Sequence, residues 1–291
     1  MTIRCFRETF AAELSEAGFV EAVTPFISAL PGLDPLADRE LKSPIHPPPP
    51  PSPPPPPSPS ASASLRVTPQ FIGKDPAALR ECLLRVRDAG YDTADLNCGC
   101  PFPMVRNKGR GSGLLRTPDV LRRMLEAGCE AMGPGAFSVK ARLGVERPDE
   151  LLALMPLLNE FPLRFLTVHA RTARQMYGGE CDLEAFDRVA SVAKMRIVRN
   201  GDLGLDAADG MVGRGFVRSL GARPDSRALL LRYVEASARE LHGDAPLLGR
   251  IKELASYWKD LPGWRRTWAV LKLCRSAGEL RTLLAPLAVC D

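Results

Sequence analysis

The sequence holds only three histidines and no CxxC pair, so a zinc site has too few ligands to draw on. No stretch reaches the roughly 18 uninterrupted apolar residues of a membrane span. The opening MTIRCFRETFAAELSEAGF is amphipathic at helical spacing and mixes Glu with Arg, which suits neither a secretory nor a transit leader. No GxGxxG opens a helix behind a first strand, which removes the open dinucleotide-binding sheet. Eight cysteines scattered over 291 residues do not make a disulfide framework and fit free thiols in a reducing compartment. The expectation is a cytoplasmic, monomeric protein with no membrane and no metal partner. A hydrophobic content of 45% with 25% charged residues is that of a folded globular chain, and the net charge of +5 leans mildly toward polyanionic partners.

Proline is concentrated where structure is not expected. Residues 47–64, PPPPPSPPPPPSPSASAS, cannot build a core, because proline removes backbone donors and the small residues bury little. This arm reads as a tolerated insertion, with a ligand for a proline-binding module as the alternative. Beyond it, short apolar runs alternate with amphipathic stretches. Strands are expected at 66–73, 93–98, 137–144, 164–170, 196–201 and 208–215, and helices at 76–90, 117–132 (Thr117 as N-cap), 149–161 and 183–194. This alternation argues a parallel sheet with crossover helices, and the polar motifs fall at C-terminal strand ends, which favours a (β/α)8 barrel. From residue 224 only helical spacing remains, predicting a small bundle with a basic, tryptophan-bearing surface able to hold RNA through charge and stacking. The chain is thus divided into 1–46 as the first part of the barrel, 47–64 as the insertion, 65–222 as the catalytic barrel and 223–291 as a helical domain.

The chemistry sits in five blocks. In DLNCGCP, Cys98 and Cys100 point the same way from an extended strand end, but no further metal ligands accompany them. Cys100, before Pro101 where strand gives way to loop, is expected to open onto the barrel mouth, where basic neighbours would acidify its thiol. Cys98 reads as a core thiol. Lys140 in VKARLG is placed to hold a phosphate or the carbonyl edge of an isoalloxazine ring, or else snorkels at the rim. His169 and Arg171 close the next strand, and a buried structural histidine is the alternative there. Asn200-Gly201-Asp202 and Gly213-Arg214-Gly215 end the late strands, where barrels commonly bind phosphate.

Taken in order, ADLNCGCPFPMVRNKGRGSGLL, SVKARLG, TVHARTARQMYGG, IVRNGD and MVGRG resemble the signature blocks of the tRNA-dihydrouridine synthases, and the tail with GRIKELASYW resembles the dihydrouridine synthase C branch. The resemblance runs from about residue 3 to the mid-260s. It implies an FMN-binding TIM barrel joined to a helical tRNA-binding domain, reducing the C5=C6 bond of a tRNA uridine, with FMN recharged by NADPH. On the matching positions it implies Cys100 as general acid, Asn97 in contact with flavin and substrate, Gln70, Lys140 and His169 at the flavin ring, and Arg171 near the substrate. Asn200, Gly201, Asp202, Gly213 and Arg214 fall at the ribityl and phosphate site.

Two departures stand against that pattern. Family members open with a strand ending in Ala-Pro-Met, whereas this sequence starts at what reads as the first barrel helix, and Thr24-Pro25 stands where Thr-Glu is expected. Between Asp202 and Asp209 there is no room for a crossover helix. The expected fold is therefore an N-terminally truncated barrel without its first strand and one late helix, followed by a small all-α domain. A degenerate, non-catalytic relative that binds RNA through its helical tail is the alternative function, and another flavin barrel, which would leave the tail unexplained, is a third.

Overall fold

The computed structural model describes residues 3–41, 65–207 and 209–285, so the proline arm lies outside the described residues. The chain divides into two compact units: one of residues 1–18, 202–207 and 212–291, the other of residues 19–201 and 208–211.

The first unit is helical. Helices α1 (Arg4–Thr9) and α2 (Ala11–Glu16) break at Phe10, so the amphipathic opening is two short helices rather than one. Phe6 packs edge-on against Phe216 and Tyr233, with centroids 6.1 and 6.0 Å away. These aromatics, all buried, tie the opening segment to the C-terminal helices within one unit.

The second unit carries the sheet. Strands β1 (Glu21–Val23) and β2 (Ile27–Ser28) run parallel to β3 (Arg66–Thr68) and β4 (Gln70–Ile72), the second pair separated by Pro69, which has no N–H for a ladder. Helix α3 (Pro76–Asp88) is capped by Asp75, whose carboxylate accepts the amides of Ala77 and Ala78. Then follow β5 (Ala94–Cys98), the short α4 (Pro103–Arg106), α5 (Pro118–Met132), β6 (Phe137–Gly144), α6 (Glu150–Leu158), β7 (Leu166–Thr172), α7 (Leu183–Val192), β8 (Ile197–Asn200) and β9 (Gly210–Met211). Thr117 does not cap α5 as expected; its hydroxyl donates back to the Leu114 carbonyl at 3.3 Å.

All pairs are parallel, and the seven-stranded sheet runs β2-β4-β5-β6-β7-β8-β9, in chain order without reversal. A doubly wound sheet reverses at its switch point, so this is the single winding of a barrel. The sheet also curls. Glu21 on β1, which leads into the edge strand, accepts two hydrogen bonds from Arg164 before β7, at 2.7 and 2.8 Å. Four strand steps of about 4.8 Å would hold those side chains too far apart in a flat sheet. Among the described residues the architecture is an incomplete (β/α)8 barrel with a helical C-terminal region. As expected, β8 and β9 are joined without a helix among the described residues, and they share only two register pairs, Arg199 with Gly210 and Asn200 with Met211.

Alternation divides the strands into two faces. Leu96, Cys98, Val139, Ala141, Leu166 and Val168 belong to the apolar cluster that takes in α3, α5 and α6. The intervening positions are Asp95, Asn97, Ser138, Lys140, Arg142, Thr167, His169 and Arg171, so the inner face is polar from β5 to β7.

In the helical unit, the last β-like segment expected at 208–215 ends early: Gly213 precedes α8 (Arg214–Ala222), so Arg214 and Gly215 open a helix and do not end a strand. Helices α9 (Ser226–Glu240), α10 (Asp244–Ser256), α11 (Trp264–Leu271) and α12 (Ala277–Leu284) complete it. Trp258 and Trp264 are 0% and 3% exposed and stack edge-on at 4.7 Å, so two of the three expected surface tryptophans are core instead. Their indole N–H groups are satisfied inside, on the Val217 carbonyl and the Ser226 hydroxyl.

Candidate active site

The site is built on the polar face at the C-terminal strand ends. Asn97, one residue before the end of β5, accepts the backbone amides of Gly99 and Cys100 on Oδ1, at 3.0 and 2.8 Å. Its Nδ2 donates to Gln70 Oε1 at 2.7 Å, and Gln70 Nε2 donates to Asp95 Oδ2 at 2.8 Å. Thr24 retains a role here, because its hydroxyl accepts the Gln70 amide at 3.0 Å.

Cys100 is 6% exposed, not open to the mouth as expected. Its carbonyl accepts the Ser112 hydroxyl at 2.8 Å, and at Gly111, where φ is +57°, a Cβ would sit 2.8 Å from the Cys100 Cβ. The glycine-rich loop therefore folds over the cysteine, and only glycine fits that crossing. Burial pushes the thiol above its ordinary value, against smaller lowering effects from the Phe102 backbone and the Arg142 charge. The expected acidification is overturned: desolvation outweighs the cation, and the thiol stays protonated at neutral pH. Cys98 is a fully buried core thiol pushed upward by the same cause.

Lys140 donates to Asn200 Oδ1 at 2.5 Å, and Asn200 Nδ2 donates to the Met211 carbonyl at 2.7 Å, linking β6, β8 and β9. Desolvation lowers the ammonium to about 8, with Asp95 opposing and Arg142 assisting. Asp95 goes the other way, to about 6, because burial outweighs its hydrogen bonds from Ser138 and Gln70. His169 lies 3.3 Å from Arg171 Nη1, and both are buried. The Arg171 guanidinium is engaged on the carbonyls of Gly178 and Gly179, at 3.2 Å and as close as 2.7 Å. Gly201 has φ of +111°, and a Cβ there would meet Cys181 Sγ and His169 Cδ2, each at 2.7 Å. Conformation and space both demand glycine.

Gln70, Asn97, Cys100, Lys140, His169, Arg171, Asn200 and Gly201 thus share the sheet unit. Asp202, Gly213 and Arg214 belong to the helical unit, where Arg214 pairs with Asp202 at 3.3 Å and Gly215 lies against the Leu203 carbonyl. Sequence reasoning passed over Asp95 and Arg142. Arg142 is 2% exposed and spends its guanidinium on the carbonyls of Gly99, Thr172 and Met176, at 2.9, 2.9 and 2.6 Å, joining the cysteine loop to the loop after β7. Strand alternation was the available signal, since each lies two residues from a residue already singled out.

The donor set fits a flavin. An ammonium, an imidazole and three side-chain amides share one face with a single carboxylate, and Thr167 Oγ1 is buried there with no partner among the described residues. Such a face favours an electron-rich carbonyl edge over a cation. Among the described residues no group of three His, Cys, Asp or Glu is arranged to hold a metal ion, and no helix is long and apolar enough to cross a membrane.

A singly wound parallel barrel with a polar inner face and a thiol held at its C-terminal rim defines the class. Residues 57–210 match the family model for dihydrouridine synthase, and the chain belongs to that family. It is 30% identical over 242 residues to the tRNA-dihydrouridine(16) synthase of Pseudomonas putida, covering 75% of this chain and 72% of that one. With a probable tRNA-dihydrouridine synthase of Helicobacter pylori it shares 31% identity over 165 residues, 52% of this chain and 49% of the other. With tRNA-dihydrouridine synthase B of Vibrio cholerae it shares 30% over 135 residues, 46% and 42%. The chain therefore spans only about half the length of several of the curated relatives it matches. Among solved structures, morphinone reductase in complex with tetrahydroNAD aligns at TM-score 0.38 and 14% identity, over 52% of this chain and 51% of that one.

Proposed function

We propose that this protein reduces the C5=C6 bond of a uridine in tRNA. The observation that carries the reading is the pinned, buried thiol: Cys100, its amide held by Asn97, stands on the rim of a donor-rich face. Within the sheet unit, Gln70, Asn97, Lys140 and His169 would hold the FMN ring, and Asn200 and Gly201 its ribityl end. FMN held by these residues would, once reduced by NADPH, be the source of the hydride for C6 of the uracil. Cys100 donates its Sγ proton to C5, and a thiol raised by burial has that proton to give at neutral pH. The target base must leave its stack to reach such a thiol, so a flipped uridine is the substrate form. Arg171 is the residue on the substrate side, acting through the carbonyls of the 178–179 loop that it orders. The basic helical unit contributes the tRNA grip, with Lys259, Arg265, Arg266, Lys272 and Arg275 exposed on α10 to α12 and their connections. Position 16 is the uridine to examine first, because a relative covered over 72% of its length is a dihydrouridine(16) synthase.

The test is to incubate the purified chain with FMN, desalt it and record the visible spectrum, then assay NADPH-dependent dihydrouridine formation in unmodified tRNA. Retained flavin with turnover that is lost in Cys100→Ala supports the reading. A colourless protein without turnover refutes it and leaves a non-catalytic RNA-binding relative, which filter binding of tRNA would detect.

A further inference from the structure

The hydrogen bonds around Asn97 have a fixed direction that begins at the cysteine loop. Backbone amides only donate, so Gly99 and Cys100 oblige Asn97 to present Oδ1, at 3.0 and 2.8 Å. Its Nδ2 must then face Gln70, and does so on Oε1 at 2.7 Å. Gln70 is left with Nε2 alone for its other neighbour, which is Asp95 Oδ2 at 2.8 Å. The neighbour has to accept, and an ionised carboxylate only accepts. Asp95 is itself held by the Ser138 hydroxyl on Oδ1 at 2.6 Å and is 0% exposed. Each amide could rotate by half a turn at little steric cost, but any reversal would oppose two donors or two acceptors among buried side chains.

We infer that Asp95 is a positioning residue: its carboxylate sets the orientation of the Gln70 and Asn97 amides and, through them, holds the Cys100 loop closed. The inference rests on the proposed function for its consequence in catalysis, but not for its geometry. Asp95 touches neither the thiol nor any reacting atom, so its effect is on where Cys100 is held.

Alkylation of the full chain by iodoacetamide, read at individual cysteines by fragmentation mass spectrometry, tests it. Cys98 lies on the same strand, 0% exposed, and reports general opening of the sheet. Asp95→Ala is expected to raise the Cys100 alkylation rate at least about tenfold while Cys98 stays as slow as before. Asn97→Ala should do the same, with the double variant no faster than either single one, because both act through one chain of bonds. Asp95→Asn, which keeps an acceptor oxygen for Gln70, should return Cys100 to near its original rate. A rise in Cys98 together with Cys100 would make Asp95 merely structural and overturn the inference, as would an unchanged Cys100. If the chain proves catalytic, Asp95→Ala should lower kcat with KM little altered. An inactive unsubstituted chain would count against the proposed function alone, since the alkylation ratio needs no turnover.

Discussion

Strands β5 to β7 and strands β8 to β9 belong to one sheet yet differ in how firmly they hold their part of the site. The first three run five, eight and seven residues, and nearly every position is buried. The last two run four and two residues, and their positions are mostly half-buried. In the first group each inner side chain stands on a strand that is paired on both sides and backed on its apolar face by the cluster that takes in α3, α5 and α6. In the second, Asn200 carries the joint through two hydrogen bonds of its own amide. The ring end of the proposed flavin site is thus rigid scaffold, and its phosphate end rests on few contacts. A barrel can lose a crossover helix and still pair its strands, but the pairing shrinks to what a short connection reaches.

The sharpest way to break the comparison is to damage the strong side. Phe137 is fully buried and packs against Gly128 of α5. Phe137→Ala should cost about 3–5 kcal/mol in urea unfolding, the usual range for a buried phenylalanine. A loss under about 1 kcal/mol would mean the β5–β7 core is looser than described. Next comes the charge that this rigid side tolerates. Asp95 rises from 3.8 to about 6 on folding because of burial, so the folded state binds a proton that the unfolded chain has released. Stability should therefore fall as pH rises from about 4 to about 6, by about 3 kcal/mol in all, and stay lower above that window. Asp95→Asn should flatten this slope, making the variant the more stable protein at pH 7.5 and not at pH 3.5. Parallel pH profiles for the two proteins would contradict the shift.

On the weak side, Asn200→Ala removes the side-chain links to Lys140 on β6 and to Met211 on β9. The expected loss is about 1–2 kcal/mol, with hydrogen exchange quickened at residues 210–211 and unchanged in β5 to β7. Equal quickening throughout would erase the distinction between the two halves of the sheet. The smallest effect belongs to Arg214→Ala. Its pair with Asp202 is half exposed and worth under about 1 kcal/mol to stability. A loss above about 2 kcal/mol in urea unfolding would show that the pair is worth more than an exposed ion pair.

The order of strands and helices was legible because it is a local matter. The β6 range of 137–144 was read to the residue, and α3, α5 and α7 to within two at each end, since hydrophobic period and proline or glycine stops act within one element. The motif residues were legible for the same reason, because a strand end and a glycine are marked in the chain itself. Local pattern failed where a residue's state depends on distant neighbours. Trp258 and Trp264 look the same in sequence on a surface or in a core, and only the packing of α8 to α11 buries them. The opening helices read as barrel because they precede a strand, yet Phe6 finds its aromatic partners more than 200 residues away.

By itself, then, the sequence determined the alternation of elements, the absent crossover between β8 and β9, and which residues bear chemistry. Tertiary structure alone decided the charge states and the directions of the hydrogen bonds. Whether Cys100 is acidified or kept protonated turns on desolvation against a nearby guanidinium, a balance set by the glycine loop folded over it. Whether Asp95 matters at all turns on Gln70 coming from a different strand to meet it, because a carboxylate's role is fixed by what it faces.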